Sequence, residues 1–473
     1  MTVKIAIIGT GPGGHAAALR AARLGAEVTI IEQDNVGGTC LNRGCIPSKV
    51  MKTTAGMVEK FHRAKEFGVM VKGDIYPDMR RLMVRKEKVI HDQAGGILGS
   101  FSNHNIRYLK GYGYLKRHGL ACVKQDDGKT IEVPWDRLIL APGSQPLCIP
   151  SFPFDGRRII SSSEALDLQE IPESMVIIGG GVIGCEFASI FASLGSEVVI
   201  VEAMPRLLPF PSVDEDCSKT LQREMKKRGI KVMVNRTVEK IEDTGEKVRV
   251  TIGDSPLITD IREEKRKTLT VHADRALVCV GRAPNAAITG LAESGIKTDD
   301  RGWIKADERM ETGVPGIYAV GDALGPSRAM LAHAASAEGL AAAGNALGGN
   351  QVMNYEVVPA AIFTTPEVAG VGLTEVHARK QGCNVRSGSV LFRTLGKAHV
   401  IGEIAGQAKI VSDSENGRIL GVHIVGAHAT ELIAEGTLAV RTGCTLKELG
   451  ETIHAHPTLS EIMSAVPYAI LNT

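Results

Sequence analysis

An apolar, β-branched run from Ile5 to Ile8 meets a glycine turn at Gly9, Gly11, Gly13 and Gly14, and small and apolar residues then recur at helical spacing up to a second apolar run ending at Glu32. Short apolar runs bounded by glycine predict buried strands, and the spacing between them predicts a helix, so the segment reads as a β-α-β unit. The pattern returns at Val176 to Glu202. Gly9, Gly11, Gly14, Gly25, Val28 and Glu32 align without a gap on Gly179, Gly181, Gly184, Gly195, Val198 and Glu202. Beyond this second copy, the alternation weakens. Short β-rich runs fill Lys231 to Val280, and their charged residues predict exposed hairpins. Gly348 to Tyr355 is polar and predicts a linker, after which strands at Ala408 to Val411 and Ile419 to Val425 lead into a helical pattern at Ala429 to Thr442.

Each glycine turn follows a predicted strand, opens a helix and precedes an acidic residue that ends the next strand, the full context of a dinucleotide-binding turn. The glycines allow a tight turn, close approach of a pyrophosphate to the backbone, and close packing of helix on strand. The helix N-terminus attracts the phosphates. Glu32 and Glu202 are placed to accept from a ribose 2′-hydroxyl, and a carboxylate at Glu202 would repel a 2′-phosphate, which favours NAD over NADP. Arg206 stands four residues further on, and two units that merely pack are the bland alternative.

At 473 residues the chain exceeds the size of one hydrophobic core and predicts about three domains. Hydrophobic residues make up 44% and charged residues 23%, an ordinary globular composition. Lysine and arginine total 55 against 53 acidic residues, with no block of one sign, so no nucleic-acid footprint is present. The cluster Arg262 to Lys267 is mixed with Glu263 and Glu264 and reads as a solvated hairpin. Glycines interrupt the N-terminal apolar run before a signal sequence forms, and no window reaches the roughly 18 to 20 apolar residues of a membrane span. A soluble protein of the cytoplasm or an organelle matrix is expected. The nine cysteines are odd in number and mostly dispersed, which argues against a secreted disulfide framework.

The exception is GGTCLNRGCIPSK, Gly37 to Lys49, with Cys40 and Cys45 five positions apart. Five steps of a regular helix separate Cα atoms by about 8 to 9 Å, whereas a disulfide needs roughly 4.4 to 6.8 Å. A bridge therefore requires an irregular turn, for which Gly37, Gly38, Gly44 and Pro47 provide the means. A zinc site would want a second ligand pair that the neighbouring sequence lacks. Two unrelated buried thiols remain the plain alternative. Near the C-terminus, HAHPTLSE, His454 to Glu461, offers an imidazole that titrates near neutrality and a carboxylate to orient it, although an HxH beside proline is more often structural.

These motifs together resemble the pyridine nucleotide-disulfide oxidoreductases. Leu41, Asn42, Arg43 and Ile46 are closest to the dihydrolipoamide-oxidising branch, and LILAPGSQP (Leu138 to Pro146), CVGRAPN (Cys279 to Asn285), YAVGDALGPSRAMLAHAASAEG (Tyr318 to Gly339) and GRILGVHIVGAHATELI (Gly417 to Ile433) extend the match over the chain. Pro142 departs from the family's usual threonine, and Asp254 to Arg275 is longer than usual. The tail PYAILNT lacks the cysteine pair of mercuric reductase, Glu202 replaces the basic residues of glutathione reductase, and flavin transhydrogenases lack the redox pair.

The resemblance implies an α/β fold with two Rossmann-like nucleotide-binding domains, for FAD (1–148) and NAD (149–276), a segment completing the FAD domain (277–347) and a C-terminal α+β dimerisation domain (348–473). It implies FAD contacts from Gly9, Gly11, Gly13, Gly14, Glu32, Gly38, Thr39, Lys49, Gly113, Gly143, Ser144, Asp322, Met330, Leu331, Ala332 and His333. NAD contacts are implied for Gly179, Gly181, Val182, Ile183, Gly184, Glu186, Glu202, Val238 and Gly281. Cys40 and Cys45 would form a redox disulfide, with Lys49 against the flavin and paired with Glu186. His456 would act as base with Glu461 as its partner, reaching the site of the opposite subunit of a homodimer, and His454 would be supporting structure. The implied reaction passes electrons from dihydrolipoamide, carried on a lipoyl domain of a 2-oxoacid dehydrogenase or glycine-cleavage complex, through Cys40–Cys45 and FAD to NAD. No metal is expected. A docking subunit without catalysis is the rival class, and intact Cys40, Cys45 and His456 argue against it.

Overall fold

The structure, a computed structural model, describes residues 2–258, 268–285 and 290–472. The predicted hairpin at Arg262 to Lys267 lies outside the described residues. The chain divides into two compact units, 1–50 with 80–147 and 281–355, and 51–79 with 148–280 and 356–473.

In the first unit, five parallel strands run in the spatial order Ile317–Ala319, Arg137–Leu140, Lys4–Ile8, Glu27–Glu32, Arg107–Lys110. Their continuous apolar runs suit a sheet covered on both faces, and Ile7, Ile30, Leu138 and Ile139 are wholly buried. Each such side chain contributes about 1.5–3 kcal/mol. Helix Pro12–Arg23 joins the first two strands and packs closely on helix Ala332–Ala346. A Cβ added at Gly339 would stand 2.1 Å from the Gly13 carbonyl oxygen, so glycine sets how near these helices come. An antiparallel sheet, Tyr112–Arg117, Leu120–Lys124 and Thr130–Pro134, completes this core.

The second unit repeats the parallel plan, in the order Lys231–Val234, Glu197–Glu202, Ser174–Ile178, Arg275–Val278, Ile159–Ile160, with helix Val182–Leu194 between the repeat's strands. Strands Arg236–Asp243, Val248–Asp254 and Leu269–Ala273 form an antiparallel sheet. These were expected as exposed hairpins, but Val248, Val250 and Ile252 on the central strand are wholly buried, because the sheet lays one face on an apolar cluster with Val176 and Ala276. The C-terminal part of this unit is a five-stranded antiparallel sheet, Ala360–Ile362, Glu367–Gly372, Ile419–Gly426, Gln407–Asp413, Val385–Leu391, backed by helices Ala429–Thr442 and Ile462–Leu471. The predicted strands and helix of this region fall where the sequence pattern places them, and the α/β class with a C-terminal α+β part holds. Residues 349–355 carry neither helix nor strand. Among the described residues no helix is long and apolar enough to cross a membrane, and no cluster of His, Cys, Asp and Glu could hold a metal ion.

Candidate active site

The two β-α-β copies adopt the same turn. Gly9 and Gly179 have φ of 103° and 105°, in the left-handed region that glycine tolerates. A Cβ at either would strike the carbonyl oxygen of Ala141, at 2.1 Å, or of Cys279, at 2.4 Å. Their amides donate to Ile31 and Val201 carbonyls at 2.8 Å in both cases. Cβ atoms at Gly14 and Gly184 would stand 1.9 and 2.0 Å from the carbonyl oxygens of Gly9 and Gly179, which is the close helix-on-strand packing the spacing called for.

The acidic residues close these turns. Glu32 accepts from the Thr10 amide and hydroxyl at 2.9 and 2.6 Å and from the Asp34 amide at 3.0 Å. Glu202 accepts from the Gly180 and Met204 amides at 2.6 and 2.7 Å. A carboxylate offers about four lone-pair positions, so each keeps capacity for a ribose hydroxyl. Helix Pro12–Arg23 has no side-chain cap and begins with proline, leaving the Gly13 and Gly14 amides to meet a phosphate. At Gly11 an added Cβ would have no neighbour within 4 Å among the described residues, so the turn presents bare backbone there. These features fit a dinucleotide at each turn. Arg206 does not stand as a ligand for a 2′-phosphate: its guanidinium donates to the carbonyls of Leu208, Phe210 and Val213 at 2.8, 3.0 and 3.1 Å.

Cys40 and Cys45 sit on either side of a broken helix. Helix Gly38–Arg43 stops at Gly44, and a new helix, Cys45–His62, begins at the second cysteine. Gly37 and Gly38 have φ of 93° and 60°. A Cβ at Gly38 would meet Gly11 Cα at 2.8 Å, so the cysteine turn rests backbone to backbone on the first glycine turn. Asn42 Nδ2 donates to the Val36 and Gly38 carbonyls at 3.0 and 2.9 Å, and the Gly37 amide donates to Thr10 Oγ1 at 3.0 Å. The cysteines are free thiols, half-buried. A hydrogen bond with Cys45, then burial, push the Cys40 thiol far above the ordinary range, while the Lys49 ammonium pulls it down.

Nearby in this unit, Ser144 donates to Asp322 Oδ2 at 2.5 Å, and Arg282 donates from Nε to Ser144 Oγ at 2.5 Å and from Nη2 to the Ser144 carbonyl at 2.7 Å. Arg282 also feels the charge of Asp322 and of Cys45, and burial lowers its pKa. Thr10 and Arg282 are polar parts of the site to which no motif gave a role, because their partners are distant in sequence. Gly113 is buried against Ile31 and Ile8, Gly143 has φ 72°, and the Pro142 carbonyl accepts from Asn285 Nδ2 at 2.8 Å. Met330 and Leu331 lead into helix Ala332–Ala346, with Ala332 half-buried and His333 exposed on its first turn. Thr39 follows Gly38 in the cysteine turn.

In the second unit Val182 and Ile183 open helix Val182–Leu194, and Val238 is buried in its strand. Glu186, also buried, accepts from the Phe363 amide at 2.9 Å. Gly281, in the first unit, has φ 141°. At the C-terminus the His456 ring is 77% exposed, and its Nδ1 lies 2.9 Å from Glu461 Oε1. The Thr458 amide holds the other carboxylate oxygen at 2.9 Å. The hydrogen bond from His456, then that from Thr458, hold the Glu461 carboxyl below its usual range. His454 is different: its side chain is 7% exposed, and its nitrogens contact the Thr452 carbonyl and Glu435 at 2.9 and 2.8 Å. It is a structural clasp.

A paired-thiol turn laid on a dinucleotide turn, with a second dinucleotide turn in the same chain, defines a nucleotide-linked disulfide oxidoreductase. Residues 3–339 match the pyridine nucleotide-disulphide oxidoreductase family and residues 358–466 its dimerisation domain, so the chain belongs to that family. The dihydrolipoyl dehydrogenase of Chlamydia muridarum is 41% identical, over 96% of this chain and 94% of its own length. That of Thermus scotoductus is 39% identical, over 97% and 95%. Among solved structures, LpdA from Mycobacterium tuberculosis superposes with a TM-score of 0.89 at 28% identity, covering 99% of both chains. The HOCl-induced flavoprotein disulfide reductase RclA of Escherichia coli gives 0.84 at 26%, covering 99% and 100%.

Proposed function

We propose that this chain oxidises protein-bound dihydrolipoamide to lipoamide and reduces NAD, the reaction of a dihydrolipoyl dehydrogenase, with FAD at the Gly9 turn and NAD at the Gly179 turn. The observation that carries this reading is the broken helix that sets Cys40 and Cys45 on the dinucleotide turn. Exposed His456, oriented by Glu461, takes the proton of one substrate thiol. In the oxidised form, in which Cys40 and Cys45 are joined by a disulfide, the resulting thiolate attacks Cys40 Sγ, the Cys40–Cys45 bond breaks and Cys45 leaves as a thiolate, giving a mixed disulfide. The second substrate thiol then attacks the substrate sulfur, releases Cys40 and closes the lipoamide ring, so that two electrons remain on the cysteine pair. Cations at Lys49 and Arg282 favour the thiolate on Cys45. Bound flavin supplies a two-electron relay between the thiols and the nicotinamide.

Asp322, steadied by Ser144 and Arg282, would hold the flavin's ribityl and pyrophosphate region, and Lys49 would lie against its ring, paired with Glu186. We take the working form to be a homodimer in which His456 serves the partner's cysteines, supported by the dimerisation domain and by the exposure of the His456 ring. Its partners would be lipoyl domains or lipoyl carrier proteins, and dispersed free cysteines support a reducing, cytoplasmic setting. Purified, flavin-loaded protein is expected to reduce NAD with dihydrolipoamide and to prefer NAD over NADP. Inactivity with dihydrolipoamide alongside activity on another disulfide would reject this substrate.

A further inference from the structure

The two glycine turns differ at their second glycine. Among the described residues the place of a Cβ at Gly11 has no neighbour within 4 Å, whereas at Gly181 it lies 3.3 and 3.8 Å from Cζ and Cε2 of Phe210. In a dinucleotide turn this glycine face is left bare so that the pyrophosphate can approach the backbone. The Phe210 ring therefore lies across the approach at the second turn, and it is itself 39% exposed.

The loop carrying Phe210 is braced. The Leu208 amide donates to the Gly180 carbonyl at 2.8 Å, the Phe210 amide to the Leu208 carbonyl at 2.7 Å, and the Val213 amide to the Phe210 carbonyl at 3.1 Å. Ser218 Oγ donates to the Leu207 carbonyl at 2.6 Å, and Arg206 ties three carbonyls of the loop together from one guanidinium. With the backbone fixed, rotation about the two side-chain torsions is the freedom left to Phe210. Its exposed edge gives the ring somewhere to go.

We propose that Phe210 is a swinging cover on the pyrophosphate seat of the second turn: the ring rests on Gly181 and rotates toward solvent to admit NAD or NADH. The proposal rests on the reading of the Gly179 turn as the NAD site. A cover that must open lowers the apparent affinity by the fraction of open protein. Among the described residues the flavin turn has no such cover, so the effect is confined to the exchanging coenzyme.

The test uses flavin-loaded protein and ADP-ribose, which carries the pyrophosphate and adenosine without redox chemistry. Calorimetric titration is expected to show F210A binding ADP-ribose about three- to tenfold more tightly than wild type, with a faster NADH on-rate in stopped flow and unchanged flavin content. In F210W the added indole reports the swing directly, as a saturable change in emission with ADP-ribose after subtraction of the wild-type response. F210A binding equally or more weakly, or F210W emission insensitive to saturating ADP-ribose, would overturn the cover while leaving the NAD site standing. Failure of wild type and F210A alike to bind ADP-ribose would overturn the site reading and the cover with it.

Discussion

Replacement of Glu202 by glutamine probes both the turn and the coenzyme choice. The carboxylate takes the Gly180 and Met204 amides on its two oxygens at 2.6 and 2.7 Å, and the residue is 7% exposed. Glutamine keeps one acceptor and turns a donor toward the other amide, leaving a buried N–H unpaired at a cost of about 1–3 kcal/mol. Against a total stability of roughly 5–15 kcal/mol, that loss is measurable but does not unfold the protein. The lost charge has a second consequence. Two unit charges 4 Å apart repel by about 4 kcal/mol at an effective dielectric of 20, and solvent screening reduces this, so a change of about ten- to a hundredfold in the NAD to NADP ratio of kcat/KM is expected. Urea denaturation measures the first effect, and steady-state kinetics with each coenzyme measures the second. Destabilisation with an unchanged coenzyme ratio would refute the electrostatic part of the reasoning, and an unchanged midpoint would refute the hydrogen-bond part.

Gly44→Val places a side chain where an added Cβ would stand 2.9 Å from the Thr39 carbonyl oxygen and 3.4 Å from Cys40 Cα; displacing that turn by about 1 Å is expected to slow dihydrolipoamide oxidation by roughly a hundredfold, measured beside bound flavin as a control for folding. His456→Gln removes the proposed base and is expected to lower dithiol oxidation by about 10²–10⁴, while electron transfer from NADH to an artificial acceptor, which bypasses the substrate thiols, is retained. Glu375 is opposed by burial yet held down to about 2 by hydrogen bonds from Arg379, Ser387 and Lys409. Because its pKa is depressed on folding, its stabilisation is present above the ordinary carboxylate range and lost as pH falls toward about 2. Glu375→Gln should therefore flatten the acid limb of a stability–pH curve from thermal melts, and an unaltered limb would reject the assignment.

The repeat was legible because each copy is local: the strands, turn, helix and closing glutamate lie within one stretch of chain, and their glycines have no substitutes. The need for an irregular turn at the cysteines was equally local, and the helix break at Gly44 answers it. What the sequence concealed depends on distant pairings. Thr10 clasps Glu32 on one side and the Gly37 amide on the other, yet its counterpart in the second copy is Gly180, so alignment of the copies hides its role. Arg206 is a cation close to Glu202 in sequence, and only the fold places its guanidinium on three loop carbonyls. The strand Val248–Asp254 is buried although charged residues flank it, because Val248, Val250 and Ile252 alternate onto one face and that face packs inward.

Cys40 and Cys45 are expected to alternate between a disulfide and a dithiol as dihydrolipoamide is oxidised. Alkylation under denaturing conditions followed by peptide mass spectrometry reads this directly. Oxidised protein should yield Cys40 and Cys45 as one bridged, unalkylated pair, and anaerobic dihydrolipoamide should convert both to the alkylated form while the other cysteines stay unchanged. Alkylation of Cys40 and Cys45 to the same extent before and after the substrate would contradict the account.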